Sequence, residues 1–178
     1  ASQRRATAAA LILALGTPFF GWSTTFFAHV PAGAMLIVSL WAALAIRQRQ
    51  TAGWPELGFG VLLGLALVIE LAIAPVVVLI GVFALLERRI EVKRWLAVGL
   101  GGLIGLTPLL IYNWLAFGGP LELGYSHVVG FEGMQEGLFG IRPPNLAHGN
   151  ALLFGMQRGL IPLAPILLFV PVGLLTLW

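Results

Sequence analysis

The sequence predicts an all-α, polytopic membrane protein: a helical bundle with a re-entrant or short-helix pair and one long external loop. Three observations carry that expectation. Between Arg5 and Arg47 lie 41 residues without an Asp, Glu, Lys or Arg. Charge-free stretches return at residues 71–86, 95–121 and 159–178. The composition is 59% hydrophobic and only 10% charged, against about 25% charged in soluble domains. A hydrocarbon layer about 30 Å thick takes about 20 apolar residues per helical crossing, so the first run supplies two crossings with a turn between them.

The elements follow from where the charges fall. Eight of the ten basic residues form three clusters beside apolar runs: Arg4/Arg5, Arg47/Arg49, and Arg88, Arg89, Lys93 and Arg94. Lys and Arg are retained on the cytoplasmic side, so each interval between clusters must leave and return. The first interval reads as helices over residues 6–20 and 24–46, with Gly16-Thr17-Pro18 and Trp22-Ser23-Thr24-Thr25 near the external turn. The second is too long for one straight helix that ends on the correct side. It reads as two short helices, 57–70 and 75–86, bending between Glu70 and Pro75, a shape tolerated at membrane depth only inside surrounding protein. Residues 95–116 carry the chain outward. The polar stretch 117–157, rich in Gly and with the Pro143-Pro144 pair, reads as an external loop with a short helix within it. Residues 159–178 return, kinked by Pro162, Pro165 and Pro171. The whole, 1–178, reads as one membrane domain belonging to a longer chain, multi-pass in a bacterial inner membrane, with the N-terminal end of this segment cytoplasmic.

Composition narrows the chemistry. Without cysteine there is no disulfide, thiolate nucleophile or Cys-ligated metal. There is no Asp, no HExxH, no phosphate-binding GxxxxGK[ST] and no GxSxG. The pI of about 10.2 does not indicate nucleic acid, because the basic residues flank apolar runs instead of forming one face. Membrane lipid is the partner this charge pattern implies. What remains are polar groups at or within the membrane, where an ionisable side chain is expensive and tends to be functional. His29 follows Phe26-Phe27-Ala28 near the external end of the second helix; it lines a polar cavity or simply ends and packs a helix. Glu70 is the sole acid between Leu57 and Leu86, and either lines a cavity or pairs with a cation, or is hydrated at the bend. Tyr112-Asn113-Trp114 reads as an interfacial aromatic belt with an Asn helix end. Arg158 stands outside the cytoplasmic clusters beside Gly159. Its planar fork of donors suits a lipid-carrier phosphate, and snorkelling toward headgroups would equally explain it. Glu122, Glu132, Glu136 and Arg142 read as solvated or paired within the loop.

Several strings taken together suggest a family. They are Gly16-Thr17-Pro18-Phe19-Phe20-Gly21-Trp22-Ser23-Thr24-Thr25-Phe26-Phe27-Ala28-His29, then Tyr112-Asn113-Trp114-Leu115-Ala116-Phe117-Gly118-Gly119-Pro120 with Gly124-Tyr125, then Phe131-Glu132-Gly133, and Arg158-Gly159-Leu160 with Pro165. In this order they resemble bacterial multispanning glycosyltransferases of the GT-C superfamily, in the dolichyl- or polyprenyl-phosphate mannosyltransferase-like branch. The resemblance implies transfer of a sugar from a polyprenyl-phosphate carrier to a lipid, glycan or protein hydroxyl at the external face. It further implies Arg158 as the cation facing the phosphate, with His29 or His127 as weaker phosphate or sugar contacts; Glu70, on its own cavity-lining reading, joins them as an expected substrate-binding residue. Enzymes of this superfamily carry an acid in the first external loop, whereas Thr17 to Thr25 holds none. The resemblance therefore implies an internal fragment, with the acidic base upstream of Ala1. No metal site is predicted and no cofactor is certain, although a divalent metal stays an open option. The competing classes are a secondary transporter fragment, suggested by the broken helices around Glu70 and Pro75, and a non-catalytic membrane scaffold subunit packing through Gly58, Gly60, Gly64, Gly101, Gly102 and Gly105.

Overall fold

A computed structural model describes residues 3–25, 27–48, 53–86, 92–130, 145–157 and 159–175. Among these residues all regular structure is helical, as the sequence predicts. The helices are α1 (Gln3–Leu15), α2 (Phe19–Ser23), α3 (His29–Arg47), α4 (Trp54–Ile69), α5 (Ala74–Leu85), α6 (Val92–Phe117), α7 (Leu146–Phe154), α8 (Leu160–Leu163) and α9 (Val170–Leu175). Short 3-10 turns cover Leu71–Ile73, Gly124–His127 and Pro165–Phe169. α3 and α6 are each long and apolar enough to cross a bilayer, and many of their large apolar side chains face outward, among them Trp41, Leu103 and Leu115. This is an all-α membrane protein. Backbone packing divides the chain into two units, Ala1–Phe27 with Glu136–Trp178, and Ala28–Gln135.

In the first unit the helices are shorter than the apolar runs suggest. The expected helix over residues 6–20 is two, because Pro18 disfavours helical backbone at Thr17. Thr17 then serves both broken ends: its hydroxyl donates to the Leu13 carbonyl at 2.6 Å and accepts from the Phe19 N–H at 3.2 Å. The helix expected over residues 24–46 is α3 of the second unit and begins only at His29, so residues 24–27 of the first unit stay outside it. Ser23, Thr24 and Thr25 turn their hydroxyls back onto the carbonyls of Phe20, Gly21 and Trp22, which competes with helix propagation. The return over 159–178 is likewise not one helix. Ala164, ahead of Pro165, leaves the helical region at φ −141° and ψ 72°, so the segment runs as α8, a 3-10 turn and α9. α7 lies within the expected loop 117–157 and is capped by Asn145, whose side chain accepts from the His148 N–H at 2.7 Å.

The second unit is a four-helix assembly. α3 and α5 run one way and α4 and α6 the other, as the end contacts show: His29 meets Glu70 at one end, while Arg94 meets Glu56 and Ile46 at the other. α4 and α5 span about 24 and 18 Å at 1.5 Å per residue, short of the hydrocarbon thickness, and the chain reverses between them at Glu70. The core is formed by Ala43, Ile46, Phe59, Leu63, Ala66, Val77, Ile80, Ala84, Leu85 and Val98.

The closest approach is between the parallel helices α4 and α6. Gly60 and Gly64 on α4 face Gly101 and Gly105 on α6, one GxxxG pair against another. A Cβ on Gly60 would lie 2.1 Å from the Val98 carbonyl oxygen, and one on Gly101 2.1 Å from that of Leu57. The backbones therefore touch where side chains would otherwise separate them. Gly58, expected on the same packing face, points to open space instead, because it lies two residues from Gly60 and so on another side of the helix.

Candidate functional site

The two ends of the four-helix unit carry different chemistry. At the first, two arginines complete helix termini. Arg47, at the C-terminal end of α3, donates to the carbonyls of Phe83 and Leu86 at the end of α5, and its guanidinium lies 4.6 Å from the centre of the Phe83 ring. Arg94, in the first turn of α6, is 4% exposed and donates to the Ile46 carbonyl at the end of α3 at 2.8 Å. The last carbonyls of a helix lack partners within it, and a cation there also offsets the macrodipole. Beside Arg94, 3.3 Å from its Nε, lies an oxygen of the fully buried Glu56. The other Glu56 oxygen accepts from the Gly53 N–H at 2.8 Å and so closes the start of α4. Reading Arg94 only with its neighbouring basic residues missed this pair. A signal existed: Glu56 stands one helical step ahead of Gly60 and Gly64, and Arg94 stands two turns ahead of Gly101, so the ion pair shares the helix faces that carry the glycines.

At the opposite end the structure brings His29 and Glu70 together. His29 Nδ1 is 3.3 Å from a carboxylate oxygen of Glu70. The helices impose this meeting, since His29 opens α3 and Glu70 ends α4. The Glu70 side chain is 17% exposed and that of His29 59%, so the acid sits inward and the imidazole faces out.

Close by in sequence, Ile69 and Leu71 line a pocket of about 370 Å³. α6 contributes Leu109, Tyr112 and Asn113 to it, and the 3-10 turn contributes Gly124 and Tyr125. Asn113 is not the helix end that the sequence suggests. α6 continues to Phe117 and is terminated by Gly118, whose φ of +83° suits glycine. Asn113 is 2% exposed and its amide donates to the Pro120 carbonyl at 3.3 Å, tying the following loop back onto the helix.

Of the other expected site residues, His127 lies in the same 3-10 turn and stacks on Phe117, ring centres 4.9 Å apart and planes 4° from parallel. Phe117 in turn meets Tyr112 edge-on. Arg158, with Glu132, Glu136 and Arg142, lies outside the described residues. Among the described residues no three His, Cys, Asp or Glu side chains gather as a metal site.

A family model, dolichyl-phosphate-mannose-protein mannosyltransferase, matches residues 1–112. The matched stretch includes α1 to α5 and most of α6, with both His29 and Glu70. No curated protein and no solved structure matches the chain.

Proposed function

This chain belongs to the dolichyl-phosphate-mannose-protein mannosyltransferase family, and from that premise we propose that it transfers a sugar from a polyprenyl-phosphate carrier to a lipid, glycan or protein hydroxyl at the external face of the membrane. The observation that carries the reading is the His29–Glu70 contact at the end of α3 and α4, inside the matched region and remote from the arginine-lined end. An acid at an apolar helix break is costly unless used, and Glu70 is the only carboxylate between Leu57 and Leu86.

In such a transfer the acceptor oxygen bonds to the sugar's anomeric carbon as the bond from that carbon to the phosphate oxygen breaks. The acceptor's proton passes to a base, and the leaving polyprenyl phosphate takes the negative charge. Glu70, oriented by His29, serves as an acceptor for substrate hydroxyl groups. Arg158 is proposed as the cation that meets the phosphate, and His127 as a contact for sugar or phosphate. The Arg47 and Arg94 end is taken as cytoplasmic and the Glu70 end as external, by the retention of basic residues inside.

The test is transfer of labelled mannose from a polyprenyl phosphate by the purified enzyme in lipid, with Glu70→Gln and Arg158→Ala beside wild type. Losing a hydrogen bond to a charged group costs about 1.5–3 kcal/mol, so Glu70→Gln should lower kcat/KM about 10- to 150-fold while inserting normally. Wild-type turnover in both variants would remove these residues from the mechanism. The break at Glu70 would also suit a transporter; substrate flux that depends on Glu70, without any sugar transfer, would favour that class.

A further inference from the structure

We infer that the groove between α5 and α6 holds an acyl chain of one anionic phospholipid, drawn from the leaflet at the arginine end, with Lys93 and Arg47 meeting its phosphate. α5 and α6 form the walls of this groove, and Leu63, Gly64 and Leu67 of α4 complete it. It holds about 250 Å³ and is lined by three glycines, Trp95 and otherwise only Leu and Val. Along α6 it runs from Trp95 to Leu106, about 16 Å at 1.5 Å per residue. Its mean cross-section is therefore about 15 Å², which fits a single hydrocarbon chain and not an α-helix about 10–12 Å across. Gly81 and Gly102 keep the slot open, since a Cβ on either would meet nothing nearer than 3.5 Å.

The charges at one end of the groove select the headgroup. Leu85 and Trp95 mark its arginine end, where Lys93 and Arg47 are both exposed. Lys93 stands in the first turn of α6, two residues before Trp95, and its flexible stem lets three donors reach the headgroup level. Arg47 lies on the last carbonyls of α5 and makes both of those bonds with Nη1. A guanidinium has five donors, so others remain for a phosphate oxygen. The five residues joining α5 to α6 carry two Arg and two Glu and add no net charge. Basic sites between membrane helices take anionic headgroups, and tryptophan at this level anchors in the headgroup layer. A polyprenyl carrier fits less well, because under the transferase reading its phosphate meets the Glu70 end, away from these cations. Binding of the phospholipid requires no sugar transfer.

The experiment is native mass spectrometry of the full-length protein released from micelles that contain equal amounts of dioleoyl phosphatidylglycerol and dioleoyl phosphatidylcholine. A second readout is quenching of tryptophan fluorescence by phosphatidylglycerol brominated along its acyl chains. Three variants accompany wild type. Lys93→Gln alters only an exposed side chain, Gly81→Leu fills the groove, and Trp95→Phe removes the reporter. Expected are retention of one phosphatidylglycerol in preference to phosphatidylcholine by wild type, and retention about fivefold weaker in Lys93→Gln, as for one basic residue at an anionic surface. Gly81→Leu should lose the bound lipid, and the saturable part of the quenching should vanish in Trp95→Phe. If Gly81→Leu does not fold, the other two variants decide. Equal retention of both lipids by wild type, wild-type retention in Lys93→Gln or in folded Gly81→Leu, or saturable quenching that survives in Trp95→Phe overturns the site. Displacement of phosphatidylglycerol by an equal concentration of polyprenyl phosphate also overturns it and assigns the groove to the carrier. Sugar transfer by the same preparations reports separately on the transferase reading.

Discussion

Glu56 and Arg94 show how much a single pair can hold. The two charges are buried together at the start of α4 and α6, and Arg94 also closes the end of α3. Removing one partner strands the other, which costs about 3–5 kcal/mol, whereas replacing both with apolar residues of similar size is often neutral. Glu56→Ala should therefore sharply lower the midpoint of unfolding in mixed detergent micelles, and the double variant Glu56→Leu with Arg94→Met should recover most of the loss. Equal destabilisation by the single and double variants would show that the charges themselves, and not an unpaired remainder, support the fold. In the sequence the arginines read as topology signals. It did not disclose that Arg47 and Arg94 also cap neighbouring helices, because those partners are backbone carbonyls 36 to 48 residues away. Only the helical offset between Glu56 and the α4 glycines pointed to the pair.

At the scale of elements, the α4–α6 contact decides the architecture of the four-helix unit. Its glycines are packed against backbone, which cannot swing aside as a side-chain end can. Gly60→Val or Gly101→Val should push α4 and α6 apart and cost at least about 1–3 kcal/mol, the usual penalty of overpacking. Gly58→Ala, facing open space, should be neutral or gain up to about 1 kcal/mol from helix propensity. Thermal unfolding of the three variants in the same micelles checks the contrast, and a destabilised Gly58→Ala would contradict the register. The existence and order of these helices were legible from hydropathy and charge. Their ends were less so. Thr17 and the Ser23-Thr24-Thr25 group end helices through hydroxyl contacts that an apolar count does not register, and Pro165 breaks what reads as one return helix. The pairing of His29 with Glu70 was equally hidden, since they stand 41 positions apart and only the packed helices bring them to one end.

For the molecule as a whole, the account divides labour between the ends of the four-helix unit. One end is closed by arginines and a buried ion pair. The other presents the His29–Glu70 contact, the Asn113 pocket and the His127–Phe117 stack. The central claim is that transfer occurs at that second end and that this end faces outward. The chain has no cysteine, so single thiols can report on it directly. Leu121→Cys and Gln48→Cys place an exposed thiol near the Glu70 end and at the arginine end respectively. The decisive measurement is to treat sealed, right-side-out vesicles of each variant with a membrane-impermeant maleimide and then assay sugar transfer from added polyprenyl-phosphate mannose. The account predicts that Leu121→Cys is modified and loses transfer, while Gln48→Cys stays unmodified until the membrane is opened. Modification of Gln48→Cys in sealed vesicles, or full transfer by modified Leu121→Cys, would contradict it.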